Sequence, residues 1–150
     1  MNHMRYSVVI NAPVATVWST MLEDATYRQW TEGFAPGCYY SGDWKQGSKI
    51  LFLAPGEHGD SGMVSRIKEN KHHEFISIEH LGIVGNGIED TTSEEAKAWA
   101  GALENYTFRE KGGVTELLIE LKGNIPDEFV TMFDGMWPEA LNKLKSLSEE

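Results

Sequence analysis

Between residues 126 and 147 the apolar side chains Phe129, Val130, Phe133, Met136, Trp137, Leu141, Leu144 and Leu147 recur three or four positions apart. That is the 3.6-residue period of one long amphipathic helix, with an apolar stripe wide enough to face a whole sheet. Pro126 and Asp127 suit its first turn, since Pro has no N–H to lose there and Asp meets the positive end of the helix. Asp134-Gly135 and Pro138 interrupt the pattern. Pro138 removes one backbone hydrogen bond and crowds the preceding turn, so a kink or a restart is predicted near Trp137. Leu141, Leu144 and Leu147 are expected to pack tightly, whereas Phe129, Phe133, Met136 and Trp137, beside the interruption, are the places to look for a cavity wall.

What precedes this helix reads mostly as strands. Residues 6–10 (Tyr-Ser-Val-Val-Ile) are β-rich and stop at Asn11-Ala12-Pro13, a helix-start signal. Val14, Val17, Trp18, Met21 and Leu22 then share one helical face, and a second short helical segment, 27–31, carries Trp30. From Phe34 onward, β-rich runs at 38–40, 49–53, 62–67 and 73–81 are each closed by turn formers or charges and read as successive antiparallel neighbours. Residues 82–93 are polar and Gly-rich and read as loop. Ser93 with Glu94-Glu95 suggests one or two helical turns up to Trp99. Runs at 102–109 and 114–121 flank Glu110-Lys111-Gly112-Gly113, a hairpin signal because paired glycines supply the positive φ of a tight turn. About six or seven strands result, with a helical pair after the first and the long helix last.

The chain has 150 residues, 41% hydrophobic and 24% charged, a composition that fits one globular domain over 1–150. A net charge of -10 without a dense Lys/Arg stretch argues against nucleic acid. No signal-peptide pattern opens the chain and no apolar run reaches the length of a membrane span, so no membrane insertion and a cytoplasmic location are expected. Cys38, the single cysteine, cannot form an intrachain disulfide or a multi-thiolate metal site.

A twisted antiparallel sheet of this size would curl around the only element long enough to cover its dry face. The expected fold is therefore α+β, a helix-grip in which a curved antiparallel sheet wraps a long C-terminal helix in the order β-α-α-β6-α. That order carries the phrases Ile10-Asn11-Ala12-Pro13-Val14, Val17-Trp18, Trp30, Gly42-Asp43-Trp44-Lys45-Gln46-Gly47, Trp99 with Gly101, and a closing Leu141, Leu144 and Lys145. Together they resemble the START-like, birch-pollen-allergen-like (SRPBCC) superfamily, and within it most of all the proteins related to the activator domain of the heat-shock ATPase chaperone. The resemblance spans nearly the whole chain and rests on the order of soft motifs. It implies a cavity between sheet and helix that takes apolar or amphipathic small molecules.

Large apolar residues are usually core. Against that, Trp30, Phe34, Tyr39, Phe52, Met63, Tyr106, Phe108, Phe129, Phe133, Met136 and Trp137 are the adaptable, bulky types that line small-molecule cavities. Two polar residues join them by alternation: His80, if Ile76 and Ile78 point inward, and Glu104, if Tyr106 and Phe108 do. Either would act as a general base or as an orienting group in a cavity, or would be satisfied by a neighbour at a strand end. His72 and His73 are adjacent, so on a strand they face opposite sides, and no His-x-x-x-His or Cys-x-x-Cys spacing supports a metal. No cofactor is implied. Three functions remain open: binding of a hydrophobic small molecule in the cavity, interaction with a chaperone or other protein, and a cyclase or hydrolase activity inside the cavity. No catalytic signature matches the last.

Overall fold

The structure, a computed structural model, describes residues 2–150. Its elements in order are β1 (Asn2–Ile10), α1 (Val14–Leu22), α2 (Asp24–Trp30), β2 (Tyr39–Gly42), β3 (Lys49–Ala54), β4 (Ser61–Lys71), β5 (Phe75–Gly85), β6 (Ile88–Asp90), α3 (Glu94–Trp99), β7 (Leu103–Lys111), β8 (Val114–Gly123) and α4 (Asp127–Ser148). Seven strands form one antiparallel path, β1-β8-β7-β5-β4-β3-β2, and β6 pairs with β5 beside it. The α+β helix-grip expected from the sequence is the observed fold. β1 and β2 follow each other in sequence yet stand at opposite edges, so α1, α2 and the loop after them carry the chain across the sheet.

Local chemistry explains the turns. β7 and β8 meet at Lys111↔Val114, leaving Gly112 (φ 61°) and Gly113 (φ 80°) as the two-residue turn, and positive φ at both positions gives the twist that matches the strands it joins. Residues 82–93 differ from the sequence reading. β5 runs on to Gly85, and Asn86 (φ 52°) and Gly87 (φ 78°) turn the chain into β6. The signal was an Asn-Gly turn hidden in a glycine-rich stretch. His72 and His73 also differ. They sit in the turn after β4 and not on a strand, and His73 at φ 63° brings the two rings into a stack 3.7 Å apart, both edge-on to Trp18.

At the junction of α1 and α2, Glu23 is extended (φ -70°, ψ 142°) and serves as the end of one helix and the start of the next. The Leu22 carbonyl left over at that corner accepts from Tyr40 Oη (2.6 Å) and Trp44 Nε1 (3.1 Å), and the Met21 carbonyl accepts from Trp30 Nε1 (3.0 Å). Carbonyls that a helix end cannot satisfy are thus taken up by aromatic donors from β2, the loop after it and α2. At the other end, the Val14 N–H donates to Glu110 Oε1 from the β7–β8 hairpin (2.7 Å).

α4 is one continuous helix with Pro138 inside it, so the restart considered from the sequence does not occur. Its two halves differ sharply all the same. Every fully buried residue of α4 (Trp137, Ala140, Leu141, Leu144, Ser148) lies at or after Trp137, whereas Phe129, Val130, Phe133 and Met136 are half-buried. The C-terminal half packs with Ile10, Val17, Met21, Leu117 and Ile119 in the main core. A Leu144→Ala substitution removes a side chain with no exposure and should cost about 2–5 kcal/mol of stability. Phe133→Ala removes a half-buried ring and should cost about 1 kcal/mol. Chemical denaturation of the two variants measures the contrast; equal losses would mean that both halves of α4 are solid core.

Candidate functional site

Between the sheet and the first half of α4 lies a cavity of about 230 Å³. Its walls come from every layer. Trp30, Thr31, Phe34 and Cys38 approach from α2 and the following loop, Phe52, Met63, His80, Glu104 and Tyr106 from strands β3, β4, β5 and β7, Trp99 from α3, and Phe133 and Trp137 from α4. Aromatic contacts hold this wall. Trp137 meets Phe34 edge-on (5.0 Å between centroids), Trp30 at 6.2 Å and Tyr106 at 6.3 Å, and stacks on Tyr6 at 6.2 Å. Tyr6 also donates a hydrogen bond to Asp134 Oδ1 (2.6 Å), which ties β1 to the middle of α4.

Of the residues singled out from the sequence, Trp30, Phe34, Phe52, Met63, His80, Glu104, Tyr106, Phe133 and Trp137 come together at this cavity. Phe129 and Met136 stand outside its lining. Phe129 packs against Trp99 (5.1 Å) and Phe133 (6.3 Å), one turn too early in α4 to reach the void, and Met136 is half-buried away from it. Tyr39 joins a small separate cluster with Leu53, Val64 and Val84, and Phe108 packs on Trp18 (5.0 Å). Sequence reasoning did not single out Tyr27, Cys38, Trp99, Ala102 or Leu121 as lining residues. Tyr27 and Trp99 lay in predicted helical segments, whereas the others are small or aliphatic and carry no signal.

One polar chain enters the apolar lining. Ser65 Oγ and His80 Nδ1 are 2.8 Å apart, His80 Nε2 lies 3.3 Å from Glu104 Oε1, and Tyr106 donates its phenol to Glu104 Oε2. A carboxylate only accepts, so Nε2 carries the proton in the contact with Glu104. The Ser65 pairing follows from a register shift between Val64 and Ser65 in β4, which sets Ser65 opposite His80. The order Ser-His-Glu invites comparison with a hydrolytic triad. Ser65, however, is fully buried and outside the cavity lining. Its hydroxyl orients His80 and is not presented to a substrate.

Burial governs the electrostatics of the lining. Burial, followed by the nearby Glu104 charge, pushes the phenols of Tyr27 and Tyr106 well above their usual range. Burial likewise raises the Cys38 thiol, partly offset by the Ala35 backbone contact, so this thiol stays protonated and inert near neutral pH. Among the described residues no three His, Cys, Asp or Glu side chains form a metal-binding group, and no helix is long and apolar enough to cross a membrane. The raised phenols have a consequence for stability. The folded state holds them neutral, so their contribution is whole below the unfolded value of about 10 and is lost as pH rises toward the folded values. Denaturation midpoints should therefore fall steeply above about pH 10, and Tyr106→Phe should flatten that fall. An alkaline limb of unchanged steepness in the variant would contradict this.

The fold has many solved counterparts. Protein MLL2253 from Mesorhizobium loti matches with a TM-score of 0.73 at 13% identity, over 97% of this chain and 96% of that one. The Aha1 dimer from Colwellia psychrerythraea gives 0.73 at 14% identity, over 99% and 97% of the two chains. Protein CV1439 from Chromobacterium violaceum gives 0.68 at 20% identity, over 100% and 99%. At these identities the likeness is one of fold. No curated protein sequence matches the chain significantly. The family model described as activator of Hsp90 ATPase homolog 1-like protein matches residues 11–149, nearly the whole length, and the chain belongs to that family.

Proposed function

We propose that this chain binds a hydrophobic or amphipathic small molecule in the cavity beneath the first half of α4. The observation that carries this reading is a void of about 230 Å³ walled largely by aromatic and aliphatic side chains, with one polar cluster at Glu104. An apolar cavity of about 150 Å³ is enough to take up benzene, so this volume suits a ligand of one or two rings or a short branched chain. Apolar lining with few polar groups is what such sites have in common. Native mass spectrometry of the protein purified from its host should reveal a co-purifying small molecule, and a fluorescent apolar probe should be taken up by the purified protein. Met63→Trp fills the same volume from β4 and should reduce probe uptake about tenfold or more. Empty protein that ignores a panel of apolar probes would defeat the proposal.

The family match favours a second reading, contact with the Hsp90 chaperone and stimulation of its ATPase. A pull-down with that chaperone decides it: recovery at tens of micromolar supports the reading, and no recovery removes it. A cyclase or hydrolase working at His80 and Glu104 is a third reading. It is weakened because both ring nitrogens of His80 already have partners and Ser65 is buried.

A further inference from the structure

Among the described residues, the cavity lining contains one carboxylate, Glu104, and neither Lys nor Arg. His80 cannot serve as a free cation for an incoming anion, because Nδ1 is engaged by Ser65 and Nε2 by Glu104. The hydroxyl proton of Thr31 is likewise engaged, donated to the Tyr27 carbonyl at 2.6 Å. Besides the neutral hydroxyls of Tyr27 and Ser61, Glu104 is the lining group with capacity left, and it is the one that carries charge. Each oxygen accepts one hydrogen bond, Oε1 from His80 and Oε2 from Tyr106, and each carboxylate oxygen can accept a second. These two donors also fix the carboxylate in the plane they define, so it is oriented before any ligand arrives.

An anion placed here would be desolvated beside a negative group with no counter-charge, which is the costly arrangement for a buried charge. A group bearing O–H or N–H would instead complete the open lone pairs of Glu104. We infer that the ligand of this cavity is an apolar molecule carrying a hydrogen-bond donor, an alcohol, phenol or ammonium, and that Glu104 selects it against carboxylic acids of the same shape. This inference rests on the proposal that the cavity binds small molecules and adds the chemistry of the ligand's polar end.

The test uses four ligands of nearly equal size: naphthol, naphthylmethylammonium, methoxynaphthalene and naphthoate. Their dissociation constants are measured by calorimetry on the purified chain and on Glu104→Gln. Naphthol and naphthylmethylammonium should bind about ten- to a hundredfold more tightly than naphthoate, and naphthol more tightly than methoxynaphthalene, which has the oxygen without its proton. Glu104→Gln keeps the shape, removes the charge and offers an amide donor. Discrimination between naphthol and naphthoate should then shrink to about threefold or less, while methoxynaphthalene still binds. Methoxynaphthalene also separates the two levels of the argument. If it binds and naphthoate binds as well as naphthol, the cavity is a binding site and the donor inference is wrong. If none of the four binds, the cavity reading itself fails and the inference with it. Unchanged discrimination in a folded Glu104→Gln would remove Glu104 from the selecting role.

Discussion

Trp137 is the contact on which the arrangement turns. Its ring touches β1 through Tyr6, α2 through Trp30, the following loop through Phe34 and β7 through Tyr106. Four separate parts of the chain therefore converge on one side chain that is only 4% exposed. Beyond it, α4 is buried in ordinary close packing with Leu141 and Leu144. Before it, the apolar residues of the helix are half-buried and Phe133 borders the cavity. Large aromatics stacked edge to face hold their positions without filling every gap between them, which allows a packed core and a cavity to share one helix.

Irregularities in the sheet shape the cavity wall. Register shifts interrupt the β4–β5 ladder between Val64 and Ser65 and again between Ile67 and Glu69, and bulges of this kind increase local twist. The first shift also sets Ser65 against His80, so one backbone irregularity both curls the sheet and anchors the polar chain that ends at Glu104. Close backbone approach has a similar role at Gly62, where a Cβ would stand 1.7 Å from the Phe52 carbonyl oxygen, so only glycine lets β3 and β4 meet at the cavity wall.

The sequence was most informative where a feature is local and periodic. The stripe in α4, the helical pair and the Gly112-Gly113 turn are each written in a few consecutive residues, and each appears in the fold. It was least informative where tertiary geometry decides. The alternation that assigned His80 and Glu104 to the inner face could not reveal that they meet, since 24 positions separate them. Ser65 gave no signal because its burial depends on a bulge. Phe129 and Met136 share the apolar stripe with Phe133 and Trp137, yet only the latter two reach the void, while Phe129 packs on Trp99. Periodicity identifies a face of a helix and says nothing of how far that face stands from its neighbour.

The central claim is that the volume beneath the first half of α4 is open and apolar in the protein itself. Xenon enters dry apolar cavities and is seen directly in diffraction, so a crystal of the ligand-free chain pressurised with xenon gives the most direct reading. The account predicts xenon between Trp30, Phe52 and Phe133. A cavity closed by those three side chains, with no xenon between them, would contradict it.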